Sequence, residues 1–178
     1  AGPARYMDTV QVDSAQFTAL VVARIPTTPT GTADGVDLIG NINTAPDGGF
    51  GIYCTNAGIR ASVAVAGSPN VFQNNALSSG LTGINDWRIY SLVVDGTHFT
   101  LTEHISNVID HDPATGVHAA SAAHVLLGSA VGNTTRAGAS HIAAAAEWGR
   151  GLSASELATE IAALKVILQA KGIVFPTA

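Results

Sequence analysis

The chain has 178 residues, of which 12% are charged, against about 25% in an average soluble domain. Eight Lys and Arg residues oppose 13 Asp and Glu residues, and no basic patch is present that would bind nucleic acid. The 47% apolar content excludes a disordered chain, and the longest apolar run, at 161–168, is too short and too interrupted to span a membrane. We therefore expect one folded domain over residues 1–178, held by packing because Cys54 is the single cysteine.

Residues 16–146 alternate between short apolar runs and clusters of Gly, Pro, Asn, Asp, Ser and Thr, a pattern that indicates antiparallel strands. Outside the two hairpins described below, the apolar runs that we predict to be strands are 17–24, 36–42, 125–128 and 141–148. Together with the hairpins they make at least seven strands, enough for two packed sheets. The predicted fold class is an all-β, two-sheet antiparallel sandwich.

The first hairpin joins the alternating runs 50–54 and 61–65. Because cross-strand partners share a face, we expect the loop around residues 56–59 to have an even length. The expected pairs are Cys54 with Ala61 and Ile52 with Val63. Tyr53 and Arg60 then share the opposite face, and Cys54 points inward as a buried thiol.

The second hairpin covers residues 87–104 and turns at Asp95-Gly96, a dipeptide typical of two-residue turns. The expected pairs are Val94 with Thr97, Leu92 with Phe99, Tyr90 with Leu101 and Arg88 with Glu103. One face is therefore apolar and ends in an ion pair, which contributes about 0.5 kcal/mol if it is exposed. The other face carries Trp87 opposite His104.

The C-terminal segment changes to a helical period. Ser153 and Glu156 have the spacing of a capping box, and Gly172 supplies a C-terminal stop, which predicts a helix over about 154–171. Its apolar stripe consists of Leu157, Ile161, Leu164 and Leu168. The stripe would dock on the chain's own sheet or, alternatively, serve as a cofactor or partner surface. Residues 173–175 are a candidate for a final short strand.

The end of the strand series carries the most distinctive motif. The strand 142–148 runs into Arg150 and then into Leu-Ser-x-x-Glu-Leu at residues 152–157. The features before it are the strand 17–24, Gly-Gly-Phe-Gly-Ile-Tyr at 48–53, the hairpin that begins at Trp87, and Leu-Gly at 127–128. Their order resembles the laminin G-like, concanavalin A-like lectin/glucanase superfamily. That resemblance implies a jelly-roll sandwich whose members mostly bind carbohydrates or proteins, while a minority hydrolyse glycans.

Carboxylates decide whether a hydrolase is expected. Glycoside hydrolysis needs two carboxyl groups that flank the scissile bond, and the resemblance implies that a glucanase would carry them as Glu-x-Asp-x-x-Glu on one strand. That motif is absent from the chain, as are the sequence signatures of a serine nucleophile elbow, a phosphate loop and a zinc helix. Glu147, beside Trp148, is the one remaining candidate acid, with a structural carboxylate as the alternative. We therefore predict that the protein is not an enzyme.

Metal binding finds little support in the pattern. His98 and His104 lie about 20 Å apart if they share one strand, too far to hold one ion. Oxygen-rich stretches at 34–37, Asp47 and 110–112, which we expect to be loops, allow a calcium site or, alternatively, ordinary Asp turns. The prediction is no metal and no cofactor, with calcium as the open alternative.

Sugar binding uses an exposed aromatic ring together with polar groups that orient the hydroxyls. The phenylalanines at 17, 50 and 99 are expected in the core, and Phe72 is expected in a long loop. The predicted ligand-binding residues are Trp87, His104, Tyr53 and Arg60. The alternative for Trp87 is a packing residue at the edge of the sandwich.

The leading hypothesis is a non-catalytic carbohydrate- or protein-binding module, such as an adhesion domain of a surface, secreted or viral particle protein. The alternatives are a structural phage virion protein that assembles as a homo-oligomer, and a divergent glycan hydrolase. Outward positions hold mostly neutral residues and lack the charges that block edge pairing, which suits contact with glycans or with a second copy. The start, residues 1–4, has no Met and no signal pattern, so we expect an excised domain or a processed terminus.

Overall fold

The computed structural model describes residues 7–12, 14–31, 35–42, 48–66, 72–77, 85–128 and 138–177. They form two antiparallel sheets and one C-terminal helix, which confirms the predicted sandwich. The strands are β1 (Met7–Val12), β2 (Phe17–Arg24), β3 (Val36–Gly40), β4 (Phe50–Thr55), β5 (Gly58–Ala64), β6 (Phe72–Leu77), β7 (Arg88–Val94), β8 (His98–Glu103), β9 (Val108–Pro113), β10 (His124–Leu127) and β11 (His141–Trp148). The helix α1 spans Ala154–Ala170.

The chain crosses repeatedly between the two sheets. The six-stranded sheet has the order β1-β10-β3-β4-β5-β6, and the five-stranded sheet has the order β11-β2-β7-β8-β9. Three of these strands, β1, β6 and β9, were not predicted from the sequence, and each lies at a sheet edge. An edge strand is half solvated, so its composition is more polar and its alternation is weak. Phe72 and residues 110–112, predicted in loops, therefore belong to β6 and β9.

Both hairpins have the predicted faces but a different register. In the first, Cys54 pairs with Ile59 rather than Ala61, because the turn is only two residues long. In the second, Val94 pairs with Phe99, because the turn lies one residue later than predicted, at Gly96-Thr97, and the Asp95 N–H donates to the His98 carbonyl at 3.3 Å. There the Asp95 carboxylate accepts hydrogen bonds from the backbone N–H groups of Thr97 and His98, each 2.7 Å long. Each shift is two residues, and an even shift leaves every side chain on its predicted face.

The inward faces of the two sheets form the core. The rings of Phe17 and Phe50, one from each sheet, lie 4.3 Å apart between their centroids, and Phe99 is also fully buried. Cys54 is a buried thiol, as predicted, and burial raises its pKa to about 12. Buried thiols of this kind pack as small apolar groups.

The helix docks on the outer face of the five-stranded sheet. Leu157, Ile161 and Leu168 are buried against Leu20, Val22 and Ile89 of β2 and β7, so the predicted stripe packs on the chain's own sheet. The start of the helix is attached to β2 through the Thr18 hydroxyl, which donates to the Arg150 carbonyl (3.1 Å) and accepts from the Leu152 N–H (2.8 Å). Gly172 ends the helix with φ of 83°. Residues 173–175 form no strand; Ile173 and Phe175 pack beside the helix instead.

Replacement of Ser153 by alanine is expected to lower the free energy of unfolding by about 1 kcal/mol. Ser153 accepts a hydrogen bond from the Glu156 N–H, and the Glu156 side chain accepts one from the Ser153 N–H, so both halves of the predicted capping box are present. Urea denaturation of the Ser153→Ala and Ser155→Ala variants measures the effect. Equal losses in the two variants would contradict a specific cap at Ser153.

Candidate functional site

The four predicted ligand-binding residues lie on opposite outer faces of the sandwich. Tyr53 in β4 and Arg60 in β5 alternate with core residues and point outward from the six-stranded sheet. Trp87 precedes β7 and His104 follows β8, and both lie on the outer face of the five-stranded sheet, where α1 packs. The hydrophobic core separates the two pairs. The structure therefore does not bring the four residues together, and it makes two separate candidate faces.

On the six-stranded sheet, three polar side chains form a lateral row, in which Asp37 and Tyr53 are buried, at 5% and 8% exposed, and Arg60 is half-buried. Asp37 of β3 pairs with Tyr53, and Tyr53 pairs with Arg60, so a carboxylate, a phenol and a guanidinium stand side by side across three strands. The Tyr53 hydroxyl lies 2.9 Å from the Ser62 hydroxyl, close enough for a hydrogen bond between them. We call Asp37, Tyr53 and Arg60 the tyrosine–arginine row.

Arg60 is the unusual member of this row. Its side chain is half-buried, and its Nε–H is buried with no hydrogen-bond acceptor. Within the described part of the chain, no carboxylate forms an ion pair with it. Withdrawing a cation from water is unfavourable unless an anion or a set of acceptors compensates it. The row therefore presents a fixed positive group that an anionic ligand would satisfy.

On the five-stranded sheet, His104 is a packing residue. Its Nε2 lies 2.8 Å from the Ser91 hydroxyl. Burial lowers the pKa of His104 to about 4, with Lys165 of the helix acting in the same direction and Glu103 in the opposite one. The imidazole is thus neutral near pH 7. The prediction that Trp87 lies opposite His104 is wrong, because the register of the hairpin differs. The backbone N–H of His104 donates to the Ile89 carbonyl instead.

Trp87 has two partners that the sequence analysis missed. The Arg24 guanidinium carbon lies 5.3 Å from the centroid of the Trp87 ring, and Arg24 Nη2 lies 2.8 Å from His141 Nδ1. We call Arg24, Trp87 and His141 the Arg24 cluster. They come together because β2 pairs with both β7 and β11, so three distant parts of the chain meet at one end of the sheet. The predicted strands contained all the necessary residues, but their order in the sheet was not predicted.

The glutamates do not form a hydrolytic pair. Glu147 lies on the inward face of β11, opposite Ala19, and both its carboxylate oxygens are buried. Glu103 binds Arg88 and two backbone N–H groups, and Glu156 caps the helix. Glu160, the last of the four glutamates in the chain, is exposed on α1. No two of the four side chains thus flank an open cleft in the way that glycoside hydrolysis requires.

The candidate metal residues do not converge. Among the described residues, no group of three His, Cys, Asp or Glu side chains is arranged to hold a metal ion. Asp110 and Asp112 alternate with His111 along β9, so they point to the opposite face, and the His111 ring stacks on that of His98 at 4.2 Å. Asp37, predicted in a loop, is a buried residue of β3 instead. Asp34 and Asp47, the remaining candidates for calcium, lie outside the described residues.

Comparisons with known proteins find similarity in structure but not in sequence. The chain matches no family model and no curated protein. The binding domain of Paraclostridial Mosquitocidal Protein 1 superposes with a TM-score of 0.62 at 16% identity, over 83% of this chain and 37% of that one. The binding domain of Botulinum Neurotoxin DC in complex with SialylT gives 0.64 at 11%, over 84% and 36%. Ruminococcus gnavus IT-sialidase CBM40, bound to α2,3 sialyllactose, gives 0.59 at 18%, over 88% and 91%.

These neighbours establish the β-sandwich fold. They are binding domains and a carbohydrate-binding module, one of them part of a sialidase, rather than catalytic domains. The chain spans only about a third of the toxin binding domains but nearly all of the CBM40 domain. In the part of the chain that the structure describes, no helix is long and apolar enough to cross a membrane.

Proposed function

We propose that this protein is a non-catalytic glycan-binding module that recognises an acidic sugar at the tyrosine–arginine row. The observation that carries the proposal is the half-buried Arg60 guanidinium, whose Nε–H has no acceptor and which has no carboxylate partner in the described part of the chain. Of the four predicted ligand residues, Tyr53 and Arg60 form this site. Trp87 lies on the outer face of the five-stranded sheet, and His104 packs there beside the Ser91 hydroxyl.

The chemistry of the row favours a carboxylate over a neutral hydroxyl. A guanidinium donates two parallel hydrogen bonds to a carboxylate, and charge-assisted bonds of this kind are stronger than bonds between neutral groups. Tyr53 lies directly beside Arg60 across the ladder but is only 8% exposed, so Arg60 is the member of the row through which a ligand would make contact. A site of this composition needs no catalytic group, which agrees with the placement of the four glutamates.

The structural neighbours supply the first ligand to test. The CBM40 domain, which this chain matches over most of both lengths, is described as bound to sialyllactose, and a sialic acid carries a carboxylate. We extend the proposal to membership of the laminin G-like, concanavalin A-like group and to a secreted or cell-surface setting. A virion role and a homo-oligomer gain no support from these neighbours.

Replacement of Arg60 by glutamine is expected to weaken binding of 3′-sialyllactose by ~10–100-fold, since a hydrogen bond to a charged group contributes about 1.5–3 kcal/mol. Isothermal titration calorimetry of the protein with 3′-sialyllactose and with lactose measures the effect. Lys171→Gln is the matched control, because it removes the same charge from an exposed position at the end of α1.

Lactose should bind wild-type protein much more weakly than 3′-sialyllactose does, and Lys171→Gln should leave the affinity unchanged. Equal affinity for the two sugars would contradict recognition of an acidic group. Undiminished binding by Arg60→Gln would contradict the assignment of the site to this row. A glycan array on which the protein retains no acidic glycan would contradict the function itself.

A further inference from the structure

We infer that the Arg24 cluster is a second binding site for the carboxylate of an acidic sugar, on the opposite side of the sandwich from the tyrosine–arginine row. The choice of a sugar as the ligand rests on the proposed function, whereas the need for an anion follows from the cluster itself.

Arg24 carries a positive charge that no described acidic residue compensates. Its polar contact is with the His141 ring, and its cation lies over Trp87. Because the guanidinium donates to Nδ1, that nitrogen of His141 is unprotonated, so the imidazole orients the guanidinium without neutralising it. The Arg24 Nε–H is buried and has no acceptor. The acidic residue next to Trp87, Asp86, pairs with Arg88 instead, at 3.8 Å.

The other arginines that the structure describes, Arg88 and Arg150, are each paired with a glutamate. Arg88 shares the buried, unpaired Nε–H with Arg24 and Arg60, but its guanidinium pairs with Glu103. Arg150 forms two hydrogen bonds with Glu156. Arg24 and Arg60 are the two without such a carboxylate, among the described residues. Both are half-buried, and both stand on an outer face of a sheet beside an aromatic ring. In a chain with only eight basic residues, two arginines held in the same way point to two sites of the same kind.

The geometry of the Arg24 cluster suits a planar anion. The ring of Trp87 and the hydrogen bond to His141 hold the guanidinium in one orientation, so little side-chain freedom is lost when a ligand binds. A fixed guanidinium accepts a carboxylate in the two-pronged arrangement. The two sites lie on opposite faces, with the core between them, so both can be filled at once. One chain would then bridge two acidic glycans.

The test uses the two tryptophans of the chain as reporters. Trp87 belongs to the cluster, whereas Trp148 packs beside α1 and serves as the internal reference. Titration of ¹⁵N-labelled protein with 3′-sialyllactose should shift the Trp87 indole N–H signal in a saturable way, while the Trp148 signal stays in place. The same shift should occur in Arg60→Gln. In Arg24→Gln the affinity read from this signal should fall at least ~10-fold, and lactose should cause no saturable shift.

Several outcomes separate this inference from the proposed function. If Arg60→Gln removes all binding and the Trp87 signal never moves, the second site is wrong and the first stands. If the Trp87 shift persists in Arg60→Gln and is lost in Arg24→Gln, the second site is correct whatever the first shows. No saturable shift up to about 10 mM sugar, enough to fill about 90% of a site with a Kd of 1 mM, overturns the inference.

The Arg24→Lys variant distinguishes the loss of a ligand contact from a folding defect. It keeps the positive charge but cannot make the two-pronged contact, so we expect its affinity at the Trp87 reporter to fall several-fold while the rest of the spectrum is unchanged. Wild-type affinity in both Arg24→Lys and Arg24→Gln would show that Arg24 only packs on Trp87, and would overturn the assignment.

Discussion

Replacement of Glu103 by alanine is expected to lower the free energy of unfolding by about 3–5 kcal/mol. Glu103 is a buried residue, only 7% exposed, and its carboxylate accepts hydrogen bonds from the N–H groups of Ile105 (2.7 Å) and Ser106 (2.8 Å). It also accepts one from Arg88 Nη1, at 3.4 Å. Without the carboxylate, the two backbone donors would lose their acceptor, and the nearly buried Arg88 would keep only the Ser106 hydroxyl, at 2.7 Å, and the more exposed Asp86, at 3.8 Å.

Urea denaturation of Glu103→Ala, Arg88→Met and the double variant measures this network. We expect the double variant to be less destabilised than the sum of the single ones, because it removes the uncompensated charge as well as its partner. Glu160→Ala, on the exposed face of α1, is the control and should change stability by less than about 0.5 kcal/mol. A loss of under about 1 kcal/mol in Glu103→Ala would show that the pair behaves like an exposed one.

The free energy of unfolding is expected to fall by about 2–3 kcal/mol as the pH is lowered from 6.5 to 4, through the titration of His104 alone. The pKa of this residue is lowered from 6.5 to about 4 in the folded protein, chiefly by burial. Between pH 6.5 and pH 4 the His104 imidazole binds a proton in the unfolded chain but not in the folded one, so protonation favours unfolding. The contribution is fully present above pH 6.5 and is lost as the pH falls through the folded value. His104 keeps some exposure, which limits the size of the effect.

The His104→Gln variant isolates this contribution. Glutamine keeps a polar group within reach of the Ser91 hydroxyl but does not titrate, so the variant's stability should depend less on pH between 6.5 and 4 by the same amount. Chemical denaturation at half-unit pH steps gives both profiles. Parallel profiles for the wild type and the variant would contradict the lowered pKa of His104. His98→Gln, at the start of β8, is the matched control for a half-buried histidine.

The alternation of apolar and polar residues predicted the face on which each side chain lies more reliably than it predicted the residue that it pairs with on the next strand. Alternation placed Ile52 and Cys54 inward and Tyr53 and Arg60 outward, and the structure agrees. The register was wrong by two residues in both hairpins, because it depends on the turn. At Asp95, hydrogen bonds from the backbone N–H groups of Thr97 and His98 to the side chain stabilise a turn that lies one residue later than the Asp-Gly pair had predicted.

In the candidate sites too, contacts between residues near in sequence were predicted, and contacts between distant residues were not. Tyr53 and Arg60 are near in sequence and joined by one turn, so their pairing followed from a local pattern. Arg24 and His141 come from strands far apart in the chain, and they meet Trp87 only because β2 lies between β7 and β11. The ion pair of Arg88 and Glu103 was predicted from the hairpin, but its burial, and therefore its energy, was not.

Local periodicity and a few capping residues were enough to predict the two-sheet sandwich, the C-terminal helix and its cap, and the inward and outward faces. The absence of a basic patch predicted no nucleic-acid partner, and the short, interrupted apolar run at 161–168 predicted no membrane span. The tertiary structure was needed to show which outer face the helix covers, which of the described arginines lack a carboxylate, and which side chains meet across the sheets. Those features depend on strand order and on burial, and both arise from contacts between residues that are distant in the chain.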